Sequence, residues 1–328
     1  MEVVLSSALL VTGLVMLCFG GNWLVNGGVA IAKKFRISNL VIGMTIVAYG
    51  TSTPELAASI AAAGDHSAII LGNIVGSNIA NVGMVIGVAA ILVPLVVQKS
   101  VLRKEIPIML GVSALLVLLS IDGEISQYDG VILLVGLGIF AVYTFRSALK
   151  QREKISNNSN SDKTNVYLKS IGLIGIGIIV LYIGAILTVD HAVIIATELG
   201  VSEKIIGLTV IAIGTSLPEL ATGLVAAFKK QTDFAIGNIL GSNIYNIFGV
   251  LGVSSLFVDL EIPLLFVRKL NIEEIGLNIN LSGIIYDAWF VLIVTLIFVY
   301  LMRVRRRIGK KTGILFLLIY IFYIFLLV

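Results

Sequence analysis

The chain has 328 residues, 58% of them hydrophobic and only 13% charged, and 23 Lys and Arg against 19 Asp and Glu leave a formal net charge of +4. The apolar residues come in blocks about as long as the roughly 20 residues a helix needs to span a bilayer, which excludes a soluble globular core and defines an all-α polytopic membrane protein. Cys18 is the one cysteine, so no intramolecular disulfide is available.

In chain order, the blocks predict ten transmembrane helices at about 4–32, 38–63, 67–97, 105–121, 128–148, 166–197, 203–227, 234–257, 285–302 and 312–328. The opening Met-Glu-Val-Val lacks the positive region of a signal peptide, so the first block is expected to be a retained helix. If the N-terminus is outside, all but three of the Lys and Arg residues (Lys204, Arg268 and Lys269) fall in inward connections. The excess of Lys and Arg in cytoplasmic loops then places both termini extracellular, in a multi-pass protein of the cell membrane. The net charge is a topology signal and implies no nucleic-acid partner.

The second span contains GTSTPE, Gly50 to Glu55, and the seventh repeats it as GTSLPE, Gly214 to Glu219. The third and eighth carry GNIVGSN from Gly72 and GNILGSN from Gly237, so the chain is a duplication with offsets of 164 and 165. Corresponding helices are five spans apart, an odd number, and must cross in opposite senses, as in many secondary transporters. Residues 1–150 form the first five-helix repeat, 151–165 a polar cytoplasmic linker, and 166–328 the second, inverted repeat, N-out and C-out. The connection from Asp259 to Tyr286 is too long and too apolar for its structure to be assigned.

Proline has no N–H and clashes with the preceding turn, so the second span is expected to break before Pro54 and restart there. The break frees carbonyls near Ala48, Tyr49, Gly50 and Thr51, which is tolerated at membrane depth only inside protein or beside a wet cavity. With the hydroxyls of Thr51 and Ser52 and the Glu55 carboxylate, these make a set of hard oxygen ligands, repeated at Ala212, Thr215, Ser216 and Glu219. Ser52 and Glu55 also fit a capping box, a purely structural use. A carboxylate at mid-span, however, costs at least about 2.5 kcal/mol on insertion, and a serine alone would cap. In the partner motif, Gly72 and Gly76 or Gly237 and Gly241 are spaced for close helix packing. Asn73, Ser77 and Asn81, and again Asn238, Ser242 and Asn246, fall on single helical stripes. Calcium takes six to eight oxygens at roughly 2.3–2.6 Å, which two carboxylates and carbonyls supply; magnesium sheds water too reluctantly. The lack of His or Cys beside the motifs disfavours zinc and copper.

At these residues the sequence resembles the cation/calcium antiporter superfamily, in its prokaryotic sodium/calcium exchanger branch. The resemblance covers essentially the whole chain and implies exchange of Na+ for Ca2+ by alternating access, with no cofactor, no enzymatic activity and no obligate protein partner beyond the lipid bilayer. By that resemblance Glu55 and Glu219, with Thr51 and Thr215, hold calcium at the centre. An inner sodium site takes the Ala48 carbonyl, Ser52 and Ser77; an outer one takes the Ala212 carbonyl, Ser216 and Ser242. Asn81 and Asn246 line the middle, supported by Asn73 and Asn238. The resemblance also implies that spans 1 and 6 slide together past the other eight, on a face containing Gly20, Gly21, Gly27 and Gly28 or Gly172, Gly175, Gly177 and Gly184. Some members carry an aspartate where Asn246 stands; here only two carboxylates lie at the centre.

A proton-driven or potassium-coupled exchanger is the alternative within the class, and the hydroxyls beside each glutamate favour sodium. An intramembrane aspartyl protease is disfavoured because Tyr128-Asp129 and Tyr286-Asp287 lie at span edges. Asp190 and His191, late in span 6, are expected to serve packing or ion access, and Asp122, Glu124 and Asp129 to be solvated in an outward loop.

Overall fold

The computed structural model describes residues 2–62, 67–154, 163–201, 212–261 and 287–327. Among the described residues helices lie in each of the ten expected spans in the expected order, and six are long and apolar enough to cross a membrane. Residues 202–211, the first part of the seventh span, and most of the connection from Asp259 to Tyr286 lie outside the described residues, as does the middle of the linker.

The first half comprises α1 (Glu2–Phe35), α2 (Asn39–Ile42), α3 (Ala48–Thr51), α4 (Thr53–Ala61), α5 (Ser67–Ala80), α6 (Ile86–Leu92), α7 (Lys99–Arg103), α8 (Glu105–Leu119) and α9 (Gln127–Lys154). The second comprises α10 (Lys163–Glu198), α11 (Ala212–Gly214), α12 (Leu217–Phe228), α13 (Thr232–Tyr245), α14 (Gly252–Ser254), α15 (Asp287–Arg305) and α16 (Lys310–Leu327). Among the described residues three π-helical segments, π1 (Gly43–Val47), π2 (Asn81–Val85) and π3 (Asn246–Leu251), join α2 to α3, α5 to α6 and α13 to α14. The third span ends at Leu92, earlier than expected, because Pro94 forces the residue before it out of the helical region: Val93 is extended at φ −136°, ψ 119°.

Four two-residue strands tie the ends together. β1 (Leu95–Val96) pairs antiparallel with β4 (Arg307–Ile308), and β2 (Glu124–Ile125) with β3 (Leu260–Glu261). The first pair closes the end that carries Lys99, Arg103, Arg303 and Arg305; the second closes the end that carries Asp122, Glu124 and Asp259. Several helices at the basic end stop on a left-handed basic residue. Arg36 (φ 57°) and Lys230 (φ 59°) sit where Ile37 N–H reaches back to the Ala32 carbonyl and Gln231 N–H to that of Ala226, the Schellman closure that glycine usually makes. A cation there faces the negative end of the helix dipole.

Two apolar cores result. The larger joins α5–α9 with α12–α16; the smaller lies beneath α1 and α10 and is sealed by Ile42, Val47, Ala226 and Phe234. α1 and α10 run antiparallel, with Gly13 against Gly184 and Gly20 against Gly177; a Cβ at Gly20 would fall 2.8 Å from the Leu181 nitrogen. Gly20, Gly27, Gly177 and Gly184 therefore join these two helices to each other and do not form the face they turn to the bundle. Gly21 and Gly28 do look into the bundle, at Ala221 and Phe234, whereas Gly172 and Gly175 meet nothing within 4 Å among the described residues. Lys229 Nζ donates to Asn22 Oδ1 and Asn26 Oδ1 of α1, linking the α12–α13 turn to that pair.

Candidate functional site

Both breaks form as the prolines require. α4 and α12 each carry proline in the first turn, and the serines preceding them adopt the same sparsely populated backbone, φ −89°, ψ 11° at Ser52 and φ −87°, ψ 4° at Ser216. The first break frees fewer carbonyls than expected. That of Ala48 accepts from Ser52 N–H at 3.0 Å, and that of Tyr49 from the Thr53 hydroxyl at 2.9 Å, because the helix persists to Thr51 and a side chain substitutes for the missing donor. Pro54 still leaves the Gly50 carbonyl without its helical N–H. In the second copy Ser216 N–H turns instead to Ile213 at 3.1 Å, so it does not occupy the Ala212 carbonyl.

The two motif pairs meet at the centre. Ser52 Oγ donates to Glu219 Oε1 at 2.8 Å, and Ser242 Oγ donates to the same oxygen at 3.2 Å. Thr51 Oγ1 lies 3.2 Å from Asn238 Oδ1, 3.3 Å from the Ala48 carbonyl and 3.5 Å from Ser242 Oγ, and its single proton serves one of them at a time. Asn246 Nδ2 donates to Ser77 Oγ at 3.0 Å, which itself donates to the Ile74 carbonyl. Asn73 Nδ2 holds the backbone carbonyl of Glu55 and the Ser59 hydroxyl, each at 3.0 Å. Close helix approach makes these bonds reachable: a Cβ at Gly237 or Gly241 would strike the carbonyl oxygen of Leu40 or Met44.

Glu55, Ser52, Glu219, Ser216, Asn81, Asn238, Ser242 and Asn246 are wholly buried, and Thr51 and Ser77 nearly so. Among them both carboxylate oxygens of Glu55, Glu219 Oε2, Ser216 Oγ, Asn81 Oδ1 and Asn246 Oδ1 have no hydrogen-bond partner among the described residues. Buried polar atoms are otherwise almost always paired, and leaving a charged one unpaired is costly. Six such oxygens on the two repeated motifs form a hard-oxygen donor set suited to Ca2+ or Na+. A cavity of about 310 Å3 reaches the breaks from the side of α10; Pro54, Ala58, Tyr182, Asp190, Gly214 and Thr215 help line it. Thr215 is thus at the cavity wall, away from the hydrogen-bonded network.

Three features were not read from the sequence. Asn78 and Asn243 stand inside the repeated Gly-Ser-Asn, and there the repeat was the available signal: Asn243 Oδ1 accepts from Asn81 Nδ2 at 2.9 Å while its Nδ2 donates to the Asn78 carbonyl at 3.3 Å. Tyr49 and Tyr245 stack at 4.6 Å beside the centre. The π turns begin at Asn81 and Asn246, placing each middle asparagine where the helical ladder is interrupted.

A broken-helix membrane protein with an oxygen-lined centre is the architecture of a cation transporter. The family model described as sodium/calcium exchanger protein matches residues 5–146 and 169–328, and the chain belongs to that family. It is 38% identical over 310 residues to an uncharacterized membrane protein of Methanocaldococcus jannaschii, covering 94% of this chain and 93% of that one. It is 34% identical over 293 residues to sodium/calcium exchanger MaX1 of Methanosarcina acetivorans, covering 77% and 83%. Among solved structures it is similar to the sodium-calcium exchanger NCX_Mj soaked with 10 mM Na+ and zero Ca2+, with TM-score 0.80, 37% identity and 98% of each chain covered. The relatives with functional names are exchangers or a putative antiporter, which fits a transporter and not an enzyme.

Proposed function

We propose that the chain exchanges Na+ for Ca2+ across the cell membrane by alternating access, with the ions held between Glu55 and Glu219. The observation that carries this reading is the set of unpartnered, wholly buried oxygens on the two motif copies. Glu55 and Glu219, with the backbone carbonyls of Thr51 and Thr215, form the centre. The Ala48 carbonyl with Ser52 and Ser77, and the Ala212 carbonyl with Ser216 and Ser242, flank it. Asn81 and Asn246 line the middle, and Asn73 and Asn238 support them. Of the two flanking carbonyls, that of Ala48 shares its oxygen with the Ser52 N–H.

The two halves are read as inverted repeats, residues 1–150 and 166–328. In support, β1 and β3, related by the motif offset of 165, close opposite ends of the bundle. The basic end is taken as cytoplasmic and the acidic end, with both termini, as extracellular. The glycine-joined pair α1 and α10 is the element that slides, and the cavity at Asp190 and Thr215 is its route to the site. Two glutamates are balanced by one Ca2+ or two Na+, so a third Na+ moves net charge and couples exchange to voltage at about 2.3 kcal/mol per charge per 100 mV.

The test is radiolabelled Ca2+ uptake into proteoliposomes loaded with Na+, K+ or acid, at clamped potential. Sodium loading is expected to drive uptake that Glu55→Gln or Glu219→Gln abolishes. Uptake with acid but not with sodium would replace Na+ by H+ in this reading.

A further inference from the structure

Away from the ion centre, the basic end of the bundle gathers cations around a cavity. α15 ends with Arg303 and Arg305 in its last turn, and Arg306, at φ 51°, turns the chain into β4. Pairing of β4 with β1 brings this turn against α7, more than 190 residues earlier in sequence. Between them lies a cavity of about 320 Å3 lined by Lys99, Leu102, Arg103, Arg303 and Arg306. Four cations thus converge on a space the size of a small-molecule pocket, where dispersal would minimise their repulsion.

Among the described residues no carboxylate lines the cavity. The acids on the adjoining elements are turned elsewhere: Glu105 is buried and accepts from the Tyr143 hydroxyl at 3.4 Å, and Asp233 accepts from Gln98 Nε2 at 2.6 Å. The depth of the site identifies its ligand. The apolar span Ala288–Arg305 measures about 27 Å as a helix, so its terminal arginines stand at headgroup level. Val304 and Val96, level with the cations, and Tyr300, about a turn further into the span, are exposed side chains with apolar surface beside them.

We propose that this cavity binds the phosphate of an anionic membrane lipid, phosphatidylglycerol or a related phosphodiester, between Arg103 and Arg303. The guanidinium groups supply paired donors to the phosphate oxygens, and Lys99 and Arg306 add charge. The bound headgroup would tie the β1–β4 closure to the bilayer. An excess of cations at one membrane end reflects topology alone; their convergence on one acid-free cavity is what distinguishes this group.

The test is native mass spectrometry of the full chain in detergent, titrated with short-chain phosphatidylglycerol or phosphatidylcholine. The wild type should bind the former selectively. The pair R103Q/R303Q should weaken that binding roughly thirty-fold, while R146Q/K150Q, the same charge loss at the end of α9, changes it less than about threefold. R103K/R303K should retain most of it. Equal losses in both Gln pairs would reduce the site to a diffuse surface charge and overturn the proposal. Displacement of the lipid by millimolar inorganic phosphate would overturn it too, by making the occupant a soluble anion. If the double variant does not fold, R103Q and R303Q singly carry the same test, each expected to lose about fivefold.

Discussion

Glu219 accepts hydrogen bonds from Ser52 and Ser242, whereas Glu55, its counterpart 164 residues earlier, has both carboxylate oxygens unpartnered. The serines differ in step. Ser52 and Ser242 spend their protons on Glu219, which aims their lone pairs away from it; Ser77 is engaged with Ile74 and Asn246, and Ser216 with nothing among the described residues. Even the breaks differ, since Ser52 N–H closes an ordinary helical turn on Ala48 and Ser216 N–H a tighter one on Ile213. The two copies of one sequence motif therefore offer a cation two kinds of ligand set: one ordered by internal hydrogen bonds, one with its oxygens uncommitted. A hydroxyl has one proton and two acceptor positions, so Ser52 and Ser242 can keep Glu219 and still coordinate an ion.

The carboxylates give the largest effects. Glu55→Gln and Glu219→Gln should each lower Na+-dependent Ca2+ exchange at least about a hundredfold, because a dehydrated divalent ion loses half the charge that balances it. Their effects on ion-free stability should separate. Removing the unpartnered Glu55 charge is expected to stabilise the apo protein, by about 1–3 kcal/mol, and Glu219→Gln to stabilise it less, since the serine hydrogen bonds already offset part of the burial cost. Thermal unfolding of both variants without Ca2+ checks this, and equal shifts would erase the distinction between the two sides.

The serines sharpen the same contrast at smaller scale. Ser52→Ala removes a short hydrogen bond to a buried carboxylate and should cost about 1.5–3 kcal/mol of apo stability. Ser216→Ala removes no hydrogen bond and should cost under about 1 kcal/mol, while still weakening ion affinity in isothermal titration. Destabilisation by Ser216→Ala as large as by Ser52→Ala would show that the asymmetry is not a property of the folded protein.

How much of this was legible in the sequence depends on the range of the signal. The ten helices, the two breaks and the meeting of the two motif copies follow from apolar length, Pro54, Pro218 and the duplication, all read within short windows. The choice of partner does not. That Ser52 finds Glu219 and not Glu55 depends on packing across more than 160 residues, and that Asn73 holds the Glu55 carbonyl together with Ser59, whose counterpart is Gly223, depends on small differences between the repeats. The π turns at Asn81 and Asn246 were equally hidden, because a π turn keeps helical composition and changes only the register of its hydrogen bonds. The third span was overextended because an apolar count does not register that Pro94 ends a helix one residue ahead of itself.

The middle asparagines supply the smallest effect and the control for the others. Asn81 donates to Asn243 at 2.9 Å and Asn246 to Ser77 at 3.0 Å, each keeping one Oδ1 unpartnered, so here the halves are alike in number of bonds and in exposed oxygen. Alanine at either position removes one neutral hydrogen bond and leaves one acceptor, Asn243 Oδ1 or Ser77 Oγ, without that donor, while each partner stays held by the bond it donates itself, Asn243 to the Asn78 carbonyl and Ser77 to Ile74. Each should therefore cost about 1 kcal/mol of apo stability, with the two values agreeing within about 0.5 kcal/mol. Denaturant unfolding of the two variants side by side measures this. If they agree while the Glu55 and Glu219 variants diverge, the asymmetry belongs to the carboxylates; if they diverge as widely, it is a general difference in how tightly the two halves pack, and the ordered and uncommitted ligand sets lose their distinct meaning.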